Sequence, residues 1–384
     1  MDALNLLFVN LREAITAWLA GFLPMWAAEA LVHFGVGLIL VFVGLGSVLV
    51  LTLGERKAIG RFQDRLGPNR WGPWGILTPV ADGIKMLTKE DIVPQGADYW
   101  VHLLAPICII IPAVLIYAVL PFGEGMWGTD LNIGILYIVA IASLGTIAIL
   151  MAGWSSNNKY SLLGAFRVVA QLISYEIPMV LSIVAVVLLT GSMSMVQIVR
   201  QQSVPHLITM PMVFFVYMLA AFAELYRAPF DMIEADSELV AGYFTEYSGM
   251  KFVMFFMAEY INLFAMSAVI TTMFLGGWRG PILPGYFWFF VKCAAVIFFF
   301  WWVRAMIPRI RIDHLLNLAW KFLVPLALAN LMVVGLVDKL VADGLAQDIV
   351  LLVANIVVAV VVVGILGFAA RKTGSKRLQR ITSS

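Results

Sequence analysis

Carboxylates are the residues of this chain best suited to chemistry, because several occur where a membrane sequence usually has none. Glu176, Glu224 and Glu259 lie within long apolar runs or at their ends, and an ionisable group inside a membrane is by default a candidate functional residue. A second group of acids lies between residues 227 and 251, and comprises Asp231, Glu234, Asp236, Glu238 and Glu246. Close carboxylates that are partly withdrawn from water repel one another, so some hold protons near neutral pH. The pattern predicts a proton relay.

The spacing of the second group predicts a helix with one acidic face. Pro229 suits a first helical turn, and Asp231, Glu234 and Glu238 then follow at i, i+3 and i+7. Gly242 is placed to end the helix. A stripe of like charges is costly unless water or protons neutralise it, which again favours a relay.

Local ion pairing is the structural alternative. Glu224 and Arg227 are three residues apart and could pair on one helix. Glu176 has no base at helical spacing except Arg167, nine positions earlier. Pro178 is expected to loosen the helix beside Glu176 and to admit water or polar partners.

The composition requires a membrane to bury it. Hydrophobic residues make up 62% of the 384 residues and charged residues 12%, whereas soluble domains have about 45 to 50% and about 25%. The mean hydropathy is +0.95. Runs of spanning length occur at 31–53, 99–122, 131–153, 168–190, 209–226, 252–275, 286–307, 319–340 and 348–370. We predict an all-α polytopic transmembrane bundle of about nine spans, preceded by an amphipathic interfacial helix at residues 4–22.

The basic residues predict how the bundle is oriented. With nine spans, one side of the membrane holds 20 of the 25 Lys and Arg residues. This side comprises the connections 54–98, 154–167, 227–251 and 304–318, the tail 371–384 and Lys321. Because loops rich in Lys and Arg stay inside, the N-terminus is expected outside and the C-terminus inside.

The inside loop 54–98 combines bases with aromatic residues and turns. Its bases are Arg56, Lys57, Arg61, Arg65, Arg70, Lys85 and Lys89. Trp71 and Trp74 stand among glycines and prolines that enforce turns. A solvated basic loop is one interpretation. A structured docking face for a partner, or a headgroup site, better explains the tryptophans.

No cofactor or metal is expected to bind to this chain alone. The four histidines do not give two ligands at one depth for haem. Cys108 and Cys293 lie in apolar runs, and neither CxxC nor HExxH occurs. There is no glycine-rich fingerprint for a nucleotide.

Together the motifs resemble a family of complex I membrane proteins, the H subunits of NADH:quinone oxidoreductase. The resemblance covers roughly residues 31–340. The matching segments are ERK at 55–57, RLGPN at 65–69, ADGIK at 81–85, GWSSNNKYSLLGAFRVVAQLISYEIPM at 153–179, AELYRAPFDMIEADSELVAGYFTEYSGM at 223–250, FLGGW at 274–278 and RAMIPRIRIDHLLNLAWKFLVP at 304–325.

The resemblance implies a role between the redox arm and the membrane arm of complex I. Residues of the proton relay would be Glu176, Glu224, Asp231, Glu234, Asp236, Glu238 and Glu246. Residues at the quinone chamber would be Arg56, Lys57, Arg61, Arg65 and Arg227. The chain would have no redox centre of its own and no activity alone, and quinone would be the substrate.

The resemblance also implies partners and a location. FMN and iron–sulfur clusters would belong to partner subunits. Peripheral iron–sulfur and quinone-site subunits would cover the inside loops, and antiporter-like subunits would lie beside the chain in the bilayer, with no nucleic-acid partner. The expected location is a bacterial inner membrane. The chain would divide into an interfacial segment 1–30, an eight-span core 31–340, and an extra span with a basic tail at 341–384.

Two other classes of protein remain open at this stage. A secondary transporter would also use intramembrane acids, but it predicts an internal repeat, and the loops 54–98 and 227–251 differ in length and in the sign of their charge. The membrane anchor of a hydrogenase, or of a complex that uses ferredoxin or coenzyme F420, is the third interpretation. The EYSGM and RFQDRLGPN segments favour the quinone-linked family.

Overall fold

The structure is a computed structural model that describes residues 7–232, 241–341 and 344–382. Within these ranges the regular structure is helical, with one isolated bridge between Gly123 and Met126. The helices are α1 Leu7–Ala20, α2 Met25–Phe62, α3 Thr78–Thr88, α4 Tyr99–Leu115, α5 Gly134–Ser155, α6 Lys159–Thr190, α7 Met195–Gln201, α8 His206–Thr209, α9 Pro211–Glu224, α10 Gly249–Phe274, α11 Gly285–Met306, α12 Ile312–Leu340 and α13 Leu345–Thr382.

The long apolar runs form the spanning helices, which confirms an all-α polytopic membrane bundle. Eight helices among the described residues are long and apolar enough to cross a bilayer, namely α2, α4, α5, α6, α10, α11, α12 and α13. The remaining predicted span, 209–226, is the 14-residue helix α9. At 1.5 Å per residue α9 is about 21 Å long, less than the roughly 30 Å of hydrocarbon. The direction of the bundle stays a prediction.

Several predicted boundaries are wrong. Helix α6 begins at Lys159 and not at residue 168, and α12 begins at Ile312 and not at residue 319. Helix α2 does not stop at residue 53 but continues to Phe62, because no helix-breaking pair occurs before Gly67-Pro68. The first bases of the inside loop are therefore helical. Nor does a helix begin at Pro229, since the described residues 225–232 form turns and irregular backbone. The acids Glu234, Asp236 and Glu238 lie outside the described residues.

Helices α6 and α10 are the centre of the bundle. Helix α6 packs against α5, α9 and α12, and α10 packs against α2, α4 and α11. The segment that precedes α10 packs closely against Gly164 of α6. A Cβ atom on Gly164 would lie only 2.9 Å from the backbone of Gly242. The ends of α2, α6, α9 and α10 thus converge near the turn 225–232.

Candidate functional site

A cluster of paired charges lies inside the bundle. Arg227 forms ion pairs with Glu55 of α2 and, at 3.1 Å, with Glu259 of α10. Arg304 of α11 pairs with Glu55 as well. The side chains of Arg227 and Glu55 are only 1% and 2% exposed. We call Glu55, Arg227, Glu259 and Arg304 the buried charge cluster; its two cations balance its two anions.

The turn after α9 is fixed so that Arg227 points into this cluster. Gln171 of α6 donates through its side-chain amide to the carbonyls of Ala223, at 2.7 Å, and Phe230, at 2.8 Å. The Arg227 guanidinium also lies 5.0 Å from the centre of the Tyr260 ring, which is a favourable cation–π distance. Burial lowers the pKa of Arg227, but the carboxylates of Glu259 and Glu55 outweigh it and raise that pKa above its ordinary value. Arg227 is therefore a permanent cation.

An apolar cleft adjoins the cluster between α2, α3 and α10. It encloses about 410 Å³ and is lined mainly by aliphatic and aromatic side chains of these helices. Arg56 and Asp82, which form an ion pair of 2.6 Å, supply charge at its wall. Tyr260 belongs both to this wall and to the surroundings of Arg227. A ligand in the cleft would therefore lie one side chain from the buried charges.

Glu224 borders a different cavity. That cavity lies between α4, α5, α6, α9 and α10, has about 60 Å³ of interior space and is mostly apolar. The Oε2 atom of Glu224 is buried without a hydrogen-bond partner in the described part of the chain. Its charge interacts with that of Glu176 on α6. Since Arg227 pairs with Glu55 and Glu259 instead, the local Glu224–Arg227 pair considered from the sequence does not form.

The other predicted acids that the structure describes lie on different elements. Glu176 is half-buried on α6. Glu246 accepts a hydrogen bond of 2.7 Å from the Asn158 amide. Asp231 is half-buried in the turn after α9. The structure therefore brings Glu176 and Glu224 together and leaves Glu246 at a separate polar contact.

The predicted quinone-chamber bases occupy three different surroundings. Arg56 lines the apolar cleft. Arg227 lies behind the cleft, in the buried charge cluster. Lys57, Arg61 and Arg65 follow on the last turns of α2 and just beyond it; Arg61 and Arg65 are exposed, and Arg65 donates to the Gln63 side chain at 2.8 Å.

Sequence reasoning missed four residues of the site. The sequence pattern places Glu55 and Arg304 in the inside loops, and it gives no reason to select Tyr260 or Gln171. A signal for Glu55 existed, since it lies two residues beyond the apolar run in a stretch that a helix can continue. No comparable signal existed for Gln171 and Tyr260, whose roles depend on contacts with distant segments.

Metal and haem ligands do not gather in the described residues. No group of three or more His, Cys, Asp or Glu side chains is placed there to hold a metal ion. His102 stacks on Tyr247 at 4.0 Å between ring centres, and His206 lies near Thr209 in α8.

The fold and the site define a polytopic helical membrane protein that gathers charged residues inside its bundle. Residues 35–335 match the family model described as NADH dehydrogenase. The H subunit of the NADH-quinone oxidoreductase of Dehalococcoides mccartyi strain CBDB1 is 55% identical over 303 residues, which are 79% of this chain and 86% of that relative. The corresponding protein of Carboxydothermus hydrogenoformans is 46% identical over 336 residues, 86% of this chain and 96% of the relative. The chain belongs to this family of complex I membrane subunits.

Proposed function

We propose that this chain forms part of the quinone chamber of a proton-translocating NADH:quinone oxidoreductase and transmits quinone reduction to proton movement. Quinone enters from the bilayer through the apolar cleft between α2, α3 and α10. The relay is proposed to include Glu176, Glu224 and Glu246, together with Asp231, Glu234, Asp236 and Glu238. Quinone type and the electron donor are properties of the assembled complex.

The position of Tyr260 is the observation that carries this proposal. Tyr260 lines the cleft, and the centre of its ring lies 5.0 Å from the Arg227 guanidinium. An apolar cleft with few polar groups suits a hydrophobic ligand with a polar head. A change of charge on that head would act on Arg227 through low-dielectric surroundings, where electrostatic interactions are stronger than in water.

The partners follow from surfaces of the chain. Trp71 and Trp74 are 69% and 76% exposed. The loop that carries them is tightly packed against itself, since a Cβ on Gly75 would be 2.3 Å from the Pro68 carbonyl oxygen. We assign this loop to the contact with a peripheral iron–sulfur or quinone-site subunit. FMN and iron–sulfur clusters then belong to partner subunits, and antiporter-like subunits lie beside the chain. Electron transfer needs those partners, so the chain alone is inactive.

The proposal includes location and organisation. The host membrane is a bacterial inner membrane, with the N-terminus outside and the C-terminus inside. Residues 1–30 form an interfacial segment, residues 31–340 the eight-span core, and residues 341–384 an additional span and a basic tail.

A photoreactive quinone tests the cleft. The assembly that co-purifies with this chain in mild detergent is first assayed for NADH oxidation with and without a quinone-site inhibitor, and is then labelled. We expect inhibitor-sensitive activity and labelled peptides from residues 79–87 and 250–260, with labelling suppressed by excess unlabelled quinone. An assembly that uses hydrogen or ferredoxin and ignores NADH contradicts the reaction, and labelling confined to other segments contradicts the cleft.

A further inference from the structure

The segment that precedes α9, residues 202–210, is mostly irregular backbone, and it joins a helix that is shorter than the hydrocarbon layer of a bilayer. Helix α9 is about 21 Å long, whereas the hydrocarbon layer is roughly 30 Å thick. If Glu224 lies at the inner boundary of this layer, the residues just before Pro211 must still lie within the hydrocarbon. Residues 202–210 contain only the single turn α8, closed by a 2.8 Å hydrogen bond from the Met210 N–H to the His206 carbonyl. Non-helical backbone is tolerated at this depth only where protein covers it.

One side of this break is covered by the connection from α10 to α11. The Gln202 amide donates to the carbonyls of Thr272, at 3.1 Å, and Met273, at 2.6 Å. The Arg279 guanidinium donates in turn to the Gln202 carbonyl. These contacts hold the start of the break against the end of α10.

The opposite side of the break is covered by α13. This helix contacts α8, α9 and α12, and the Ser203 hydroxyl donates to the Asp348 carboxylate at 3.3 Å. Leu351 and Asn355 of α13 are buried, whereas Val353 on the same helix is 54% exposed. Helix α13 begins at residue 345, beyond residue 335, where the match to the family ends.

We propose that α13 is a seal within the chain, which covers the break between α7 and α9 and keeps lipid and water from the helix that carries Glu224. The buried state of His206 supports this role. Its ring is 5% exposed and its Nε2 atom has no hydrogen-bond partner among the described residues.

Hydrogen exchange of the assembled complex tests the seal without reference to its activity. A chain ended at Val341 is compared with the full chain in complexes purified from the native membrane. We expect the backbone amides of residues 203–210 to lose protection when α13 is absent, while amides of α10 keep theirs. Unchanged protection at residues 203–210 would overturn the proposal.

A milder variant keeps the test decisive where the shortened chain does not assemble. Leu351→Ala removes packing on the buried face of α13, and Val353→Ala makes a similar truncation on its exposed face. Leu351→Ala is expected to speed exchange at residues 203–210 and Val353→Ala to leave it unchanged. Equal exchange in the two variants would make α13 a membrane anchor only. Because exchange is measured at rest, this result is independent of whether quinone binds in the cleft.

Discussion

Arg227 and Glu55 form an ion pair between side chains that are 1% and 2% exposed and 172 residues apart in the sequence. A buried charge is strongly unfavourable without a partner. The pair therefore makes the turn after α9 and the extended end of α2 depend on each other.

A double-mutant cycle measures this dependence. Glu55→Gln removes the carboxylate that Arg227 and Arg304 share, and Arg227→Met removes one of the two cations that pair with Glu55 together with the 3.1 Å ion pair to Glu259. Each single variant is expected to cost about 3 to 5 kcal/mol of stability, because breaking a buried pair strands a charge. The double variant should cost less than the sum of the two. Thermal unfolding of the purified complex gives the three values; additive losses would mean that the pair is not coupled.

Glu224→Gln separates proton transfer from structure. The Oε2 atom of Glu224 has no hydrogen-bond partner in the described residues. A glutamine of the same shape therefore breaks no hydrogen bond at this atom, but its amide cannot bind and release a proton as a carboxylate does. We expect an intact complex with lower quinone reductase activity or lower pumping. Both are measured in reconstituted vesicles, with Glu29→Gln on an exposed position of α2 as the control. Full activity together with full pumping in Glu224→Gln would remove Glu224 from the relay.

The tryptophan loop should control assembly with the peripheral subunits. Aromatic anchors at an interface often contribute about 2 kcal/mol or more each, so Trp71→Ser with Trp74→Ser should greatly reduce the peripheral subunits that co-purify. Trp18→Ser changes a residue that is 67% exposed on α1, on the predicted outer side, and is the matched control. Equal recovery of peripheral subunits from both variants would exclude the loop as their contact.

Most of the fold could be predicted from the sequence, because a spanning helix is a local property. A run of about 20 apolar residues must form its own backbone hydrogen bonds in lipid, whatever its neighbours do. The hydropathy pattern therefore located the eight long spans. It also located α9 within 209–226, but it did not show that the end of α10, the connection after α10 and helix α13 contact the irregular segment before α9.

The acids of the site were visible in the sequence, but their partners were not. A carboxylate within an apolar run, such as Glu176 or Glu224, is recognisable from the sequence, because placing a charge in the membrane costs free energy in any arrangement of the helices. Which base neutralises it depends on contacts between helices. Spacing along one helix allowed a pair of Glu224 with Arg227 as an alternative, whereas packing joined Arg227 to Glu55 and Glu259.

The sequence by itself thus determined the class of protein, the spanning helices and the presence of chemically unusual acids. Only the tertiary structure decided that Gln171 clamps the turn after α9, that Tyr260 joins the apolar cleft to Arg227, and that α13 covers the break before α9. The physical reason is range. Hydropathy and helix formation act within about 20 residues, while ion pairing and burial act between segments that only the folded bundle brings together.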